Sequence, residues 1–212
     1  MTIIKNIYDK VANEYDSKYQ DDIHLVEDAI NSIYLKSFIP SKVLDVGCGT
    51  GHVIELGGFN PWEYFGIDIS SSMVKLAEDK YPDHEFVVGD ITEGIFGKYD
   101  LILAVYGQIN HIGLFAWADI LKANLEDEGD FYAVIYADTN NPDICYEEGN
   151  HKIFTELQID EVMSRIYPDY KLRGLSFPFE EGMSPEDLFK YQIAKTESGD
   201  LEGCKYWMLS SN

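Results

Sequence analysis

The spacing of hydrophobic and polar residues changes near residue 41. Before it, Ile23, Val26, Ile30 and Ile33 recur at helical spacing behind Asp21 and Asp22, which are suited to capping, so the first forty residues read as helices. After it come KVLDVGC, EYFGIDI, EFVVGD, YDLILAVY and DFYAVIYA, short runs rich in Val, Ile and aromatic residues that fit buried strands. Helical stretches separate them. In SSSMVKLAEDKYP, Met73, Leu76 and Ala77 share one face and Ser70 to Ser72 offer an N-cap; a second helix runs from about Phe115 to Leu125, ahead of an acidic turn, EDEGD. Strands alternating with helices imply right-handed crossovers, a parallel sheet with helices on both faces, and ligand-binding loops at the C-terminal strand ends.

The last third follows another pattern. Ile159, Val162, Met163 and Ile166 predict one more amphipathic helix, ended by Pro168, and DYKLRGLSFPF predicts a strand. After the turn-rich EEGMSPED, a helix near Ser184 to Thr196 precedes a closing strand, CKYWMLSS, which suggests a hairpin-like pair at the sheet edge. With no repeat and no low-complexity linker, one domain is expected, residues 1–40 forming its helical cap and 41–212 its α/β body.

Composition narrows the function classes. The 212 residues are 45% hydrophobic and 14% aromatic, with no apolar run near the ~18 residues of a membrane span. The opening MTIIKNIYDK lacks a basic flank followed by an apolar stretch, so a cytoplasmic location is expected. Cys48, Cys145 and Cys204 form no CxxC pair, and His24, His52, His84, His111 and His151 have no metal-ligand spacing, so neither a disulfide framework nor a metal is expected. Trp62, Trp117 and Trp207 read as structural. Against 38 acidic residues stand 16 basic ones, a net charge of −22, and arginine occurs only at 165 and 173. Such a surface repels polyanions and lacks the bidentate donors that read bases, which disfavours nucleic acid and leaves a cationic substrate open.

VLDVGCGTG, Val43 to Gly51, carries the candidate chemistry. A phosphate-binding P-loop needs Lys and Ser or Thr after its last glycine, but His52 and Val53 follow Gly51. The dinucleotide pattern GxGxxG is also missed, since the glycines fall at 47, 49 and 51. Asp45 would repel a pyrophosphate and attract an ammonium or sulfonium. Asp68, ending the second strand, is placed to accept hydrogen bonds from ribose hydroxyls. Together these acids favour a cationic adenosyl ligand, and S-adenosylmethionine fits.

With these motifs in order, the chain resembles the class I S-adenosylmethionine-dependent methyltransferases over most of its length. VLDVGCGTG, Asp68, VVGDI and YGQINHIG stand where that family carries VLDxGCGxG, an acid after the second strand, an acid after the third and a histidine after the fourth. The resemblance implies a Rossmann-like, seven-stranded, mostly parallel sheet whose antiparallel last strand is CKYWMLSS. It assigns Asp45, Gly47, Cys48 and Gly49 to the methionine moiety, Asp68 to the ribose, and Ile69 and Met73 to the flanks of the adenine. Asp90 would bond the adenine amino group and Ile91 would supply a backbone donor, with Val105 and Tyr106 beneath the cofactor. YDKVANEYDSKY resembles the family's lid, with Tyr15 or Tyr8 closing over the cofactor. Two departures concern turns: EDEGD replaces the usual basic-Pro-Gly-Gly before strand five, and the loop after the glycines, HVIELGGFN, is short.

Transfer from a sulfonium is an in-line displacement, so the expected function is N- or O-methylation of a small molecule, with alignment supplying most of the acceleration. Gln108, Asn110, His111 and Tyr106 are expected near the acceptor, His111 being the candidate base. Segments Asp143 to Thr155 and Phe177 to Asp187 are candidates for the opposite wall. Cys48 reads as a packing residue rather than a nucleophile. The alternatives are methylation of a protein or RNA, and a regulatory protein that binds the cofactor without turnover.

Overall fold

The computed structural model describes residues 2–136, 152–175, 184–199, 201, 204 and 206–211. Helices α1 (Thr2–Tyr15) and α2 (Asp22–Leu35), linked by a 3₁₀ turn at Asp16–Tyr19, precede the first strand. Asp21 caps α2 by accepting from the His24 backbone N–H at 3.1 Å. Strands β1 (Val43–Val46), β2 (Tyr64–Asp68), β3 (Glu85–Val88), β4 (Tyr99–Ala104) and β5 (Leu125–Tyr136) follow, with β6 (Lys171–Leu175) and β7 (Tyr206–Ser210) near the C-terminus. They form one sheet in the order β3-β2-β1-β4-β5-β7-β6, parallel through β5, with β7 antiparallel to both neighbours. The connecting helices are α3 (His52–Gly57), α4 (Ser71–Lys80), α5 (Gln108–Ile112), α6 (Leu114–Asn124), α7 (Glu156–Met163) and α8 (Pro185–Ser198).

Strand alternation divides the core into two layers. Leu44, Val46, Ile102, Phe131, Ala133 and Ile135 face α6 and α7, which contribute Trp117, Leu121, Ile159 and Met163. Val43, Leu101, Leu103, Tyr132, Val134 and Met208 face α2, α3, α4 and α8. The sheet is thus covered on both sides, and its strand order reverses between β1 and β4. The crevice beyond the strand ends at such a reversal is where open α/β sheets bind ligands.

Several local expectations need correction. EDEGD lies within β5: the register jumps from Tyr99↔Leu125 to Leu101↔Asp130, so the acidic stretch forms a bulge in the strand. HVIELGGFN begins with α3 rather than a loop, between Gly51 and Gly58, both at positive φ. The closing strands pair but form no hairpin, because α8 separates them in sequence and β7 inserts between β5 and β6. Helix α7 ends at Met163, before Ile166 and Pro168. Ile33 is 49% exposed and Trp62 is 79% exposed, so neither has the buried role its hydrophobicity suggested. Trp117 and Trp207 are buried.

Candidate functional site

A cavity of about 740 Å³ occupies the crevice beyond β1 to β4 and is roofed by α1 and α2. Its floor is made by turns. After β1, the chain passes through Gly47, Gly49 and Gly51 at φ 72°, 52° and 80°, values that cost an L side chain about 1–2 kcal/mol. A Cβ on Gly47 would also fall 2.2 Å from Cδ of Gln108. Glycine therefore lets the α5 side chain and the β1 turn meet. Asp68, at the end of β2, fastens this turn: one carboxylate oxygen accepts from Gly49 N–H at 2.9 Å and the other from Ser70 N–H at 2.8 Å. Ser70 then caps α4 by accepting from Met73 N–H at 3.2 Å.

The acids of this floor are electrostatically stressed. Asp45 is buried and accepts a hydrogen bond from the Tyr64 hydroxyl at 2.6 Å. Burial, opposed by that bond and assisted by the nearby Asp68 charge, pushes its pKa up to about 7. Asp68 is also raised by burial, against the two backbone bonds. An incoming positive charge relieves both. Cys48 is buried and its thiol is pushed well up by burial and by Asp45 and Asp68, the reverse of what a nucleophile needs.

Ile69, Met73, Asp90, Ile91, Val105 and Tyr106 also line the cavity. Asp90 caps the turn Ile91–Glu93, one of its oxygens accepting from the Thr92 N–H at 3.0 Å and hydroxyl at 2.6 Å. Tyr106 lies beyond β4 rather than within it, at φ 61°, and is the non-glycine residue at positive φ among the described residues. That conformation is an outlier for a bulky side chain. It aims the hydroxyl at Asp28 of α2, to which it donates, while the other Asp28 oxygen meets His52 Nε2 at 2.8 Å. One α2 carboxylate thereby joins the end of β4 to the start of α3.

The roof is tied to the floor at two points. Asp9 of α1 accepts from Ser70 Oγ at 2.6 Å and Ser72 N–H at 3.2 Å. Its carboxyl is held well below the usual range by Lys5 and then Ser70. Asp16 accepts from Thr50 Oγ1 at 2.6 Å and Lys80 Nζ at 2.8 Å, and these bonds outweigh burial to keep it low. Between the ties, Tyr8 and Tyr15 line the cavity with ring centroids 6.1 Å apart, and burial raises both phenols. Tyr8 Oη lies 3.0 Å from His111 Nε2.

Of the residues expected beside the acceptor, Gln108 and His111 line the cavity, on α5 rather than on a strand. Asn110 does not. Its amide donates to the carbonyls of Tyr136 and Lys152, its oxygen accepts from Tyr136 N–H, and it is fully buried as a staple between α5 and β5. Residues 143–151 and 177–183 of the two expected wall segments lie outside the described residues. The described remainder, Lys152 to Thr155 and Ser184 to Asp187, is not on the cavity wall. Glu27, Asp28, Tyr136 and Tyr206 were missed. They belong to three elements, α2, β5 and β7, and no spacing in the chain links them.

Residues 43–126 match the family described as Methyltransferase domain. The chain carries a methyltransferase domain. An uncharacterized protein of Methanocaldococcus jannaschii is 31% identical over 131 residues, which are 60% of this chain and 49% of that one, so the chain spans about half of this relative. Demethylmenaquinone methyltransferase of Thermotoga maritima is 39% identical over 72 residues, 32% of this chain and 31% of the enzyme. In fold, the methyltransferase domain with its flanking elements superimposes on a Thermotoga maritima SAM-dependent methyltransferase, a possible histamine N-methyltransferase, with TM-score 0.65 and 15% identity over 97% of each chain. Magnesium protoporphyrin IX methyltransferase from Synechocystis, solved with bound SAM, gives TM-score 0.62 and 16% identity over 99% of this chain and 94% of that one. Among the described residues, no cluster of His, Cys, Asp and Glu is arranged to hold a metal, and no helix is long and apolar enough to cross a membrane.

Proposed function

We propose that the protein is an S-adenosylmethionine-dependent methyltransferase acting on a small molecule, at nitrogen or oxygen. One observation carries this reading: the turns after β1, β2, β3 and β4 converge on a single cavity whose buried carboxyls, Asp45 and Asp68, are raised by their own burial. Such a floor favours a ligand that brings positive charge and hydroxyl donors, and the positive φ of Gly47 and Gly49 brings backbone close to it. About 740 Å³ is within the ~300–1,000 Å³ of small-ligand pockets. When bound, S-adenosylmethionine supplies a methyl group on a positively charged sulfur. Asp45 and the Gly47–Gly49 turn hold its methionine part, Asp68 its ribose, and Ile69, Met73, Asp90 and Ile91 its adenine.

The chain's own work is to orient the acceptor, exclude water and accept a proton. Residues 1–40 act as a cap of the same domain, with Tyr8 and Tyr15 over the cavity. His111, bonded to Tyr8, is the group suited to take a proton from the acceptor. The roof supports a small acceptor over a polymer, and the net charge of −22 disfavours RNA. The test follows a labelled methyl donor into a panel of small acceptors, bulk protein and bulk RNA. Label in small molecules is expected. Label confined to polymer overturns the acceptor class, and cofactor binding without transfer to any acceptor leaves a regulatory protein.

A further inference from the structure

Five rings on the cavity wall, those of Tyr8, Tyr15, Tyr19, His24 and His111, form a continuous run. Tyr8 and Tyr15 stand about two turns apart on α1, and Tyr19 follows in the 3₁₀ turn that continues this helix. The ring centroids of Tyr8 and Tyr15 are 6.1 Å apart, those of Tyr15 and Tyr19 5.0 Å, and those of Tyr19 and His24 of α2 5.0 Å. At the other end, Tyr8 meets the His111 ring of α5 at 5.7 Å. Hydrogen bonds fix both ends: Tyr8 Oη lies 3.0 Å from His111 Nε2, and His24 Nδ1 lies 2.8 Å from a carboxylate oxygen of Asp21.

The run has a direction. Tyr19 and Leu25 are exposed although both line the cavity, so this end stands at an opening. The other end is His111, the candidate base. The adenine is assigned elsewhere, to Ile69, Met73, Asp90 and Ile91 beyond β2 and β3. A wall that leads from an opening to the base is the one an acceptor passes along. Its ring geometry sets the chemistry: neighbours meet at 59°, 58°, 71° and 86°, tilted or edge-on, so they do not cover one another's faces as a parallel stack would. An aromatic ligand matches such a wall by offset or edge-to-face contact, a gain beyond the apolar area it buries. A saturated ring buries as much area but has neither a π face nor a polarised edge.

We propose that the methyl acceptor is a small aromatic molecule, methylated at an oxygen or nitrogen on or beside its ring, and that Tyr19 is a residue that selects for the ring. The inference rests on the methyltransferase reading. The acceptor's proton passes to a cavity base and then to water. The freed electron pair forms the bond to the methyl carbon as the C–S bond breaks with its pair left on sulfur. The products are the methylated aromatic, a neutral thioether and one proton, so atoms and charge balance.

The experiment is calorimetry on the intact protein saturated with S-adenosylhomocysteine. Phenol, naphthol, benzylamine and benzoate are each titrated beside the ring-saturated counterpart: cyclohexanol, decahydronaphthol, cyclohexylmethylamine and cyclohexanecarboxylate. Each pair keeps its polar group and changes only the ring. At least one aromatic probe is expected to bind about fivefold or more tightly than its counterpart, as for one added ring pair. Tyr19→Leu should cut that preference to about twofold or less, and Tyr19→Phe, which keeps the ring, should restore it. Both variants should keep their affinity for S-adenosylhomocysteine, as evidence of folding. The inference is overturned if saturated rings bind as well as aromatic ones, if no probe binds, or if Tyr19→Leu leaves the preference intact. Failure of the unaltered protein to bind S-adenosylhomocysteine would instead remove the methyltransferase reading.

Discussion

The floor and the roof of the cavity are built on different principles. The floor uses backbone: consecutive turns at parallel strand ends, opened by glycine and pinned by Asp68, in a stretch running from Val43 to Ile91. The roof and far wall use side chains from α1, α2, α5, β5 and β7, which converge from positions between 4 and 206. A backbone-built site is constrained by geometry that few sequences satisfy, so it carries a recognisable signature. A side-chain-built wall can change occupant through single substitutions, which is why fold leaves the acceptor open.

The contrast breaks most easily at Asp68. Asp68→Ala removes a charged acceptor from two backbone N–H groups, each bond contributing about 1.5–3 kcal/mol, so calorimetry should find S-adenosylhomocysteine bound about 100-fold more weakly. A loss below about threefold, or under ~0.7 kcal/mol, would mean that the floor is not held by this residue.

Next is the pH response of Asp45. Its carboxyl titrates near 7 in the folded protein against 3.8 ordinarily, so between those values the folded chain holds a proton that the unfolded chain has released. This group's contribution to ligand-free stability therefore declines as pH rises from about 4 to about 7, then levels off. Binding an ammonium beside it requires the charged form. Affinity for S-adenosylhomocysteine should accordingly fall up to about tenfold per pH unit below 7, and Asp45→Asn should flatten that slope.

The roof should respond in rate rather than in cofactor affinity. His111→Ala is expected to slow transfer about tenfold or more, in keeping with general base contributions, with S-adenosylhomocysteine affinity held within about twofold. Equal losses in both would make it part of the floor. Asp9→Asn, which weakens the tie to Ser70 and Ser72, should cost about 1 kcal/mol, or a melting temperature lower by roughly 2–4 °C. Trp62→Ala is the smallest change: at 79% exposure it should move stability by no more than ~0.5 kcal/mol.

The same division explains what could be read from the chain. The strands and the Val43–Gly51 turn follow from local periodicity and from glycines whose φ values only a turn demands, whereas the antiparallel last strand is implied by the family resemblance. Trp62 and Ile33 misled because hydrophobicity alone does not tell which face of an element meets the core. Asn110 misled for the converse reason. A polar residue near a ligand loop looks functional, yet its amide satisfies backbone groups of β5 and Lys152. Asp28 gave no signal, since its bonds to Tyr106 and His52 arise only once α2 packs beside α3.

The insertion of β7 between β5 and β6 governs how the molecule is assembled during translation. Among the described residues, strand β6 pairs in the sheet with β7 alone. At ~5–20 residues per second, the ribosome delivers residues 206–210 roughly 2–7 s after 171–175. For that interval β5 presents an open edge and β6 has nothing to pair with, so the nascent chain is most exposed to mispairing just before its penultimate gap is filled.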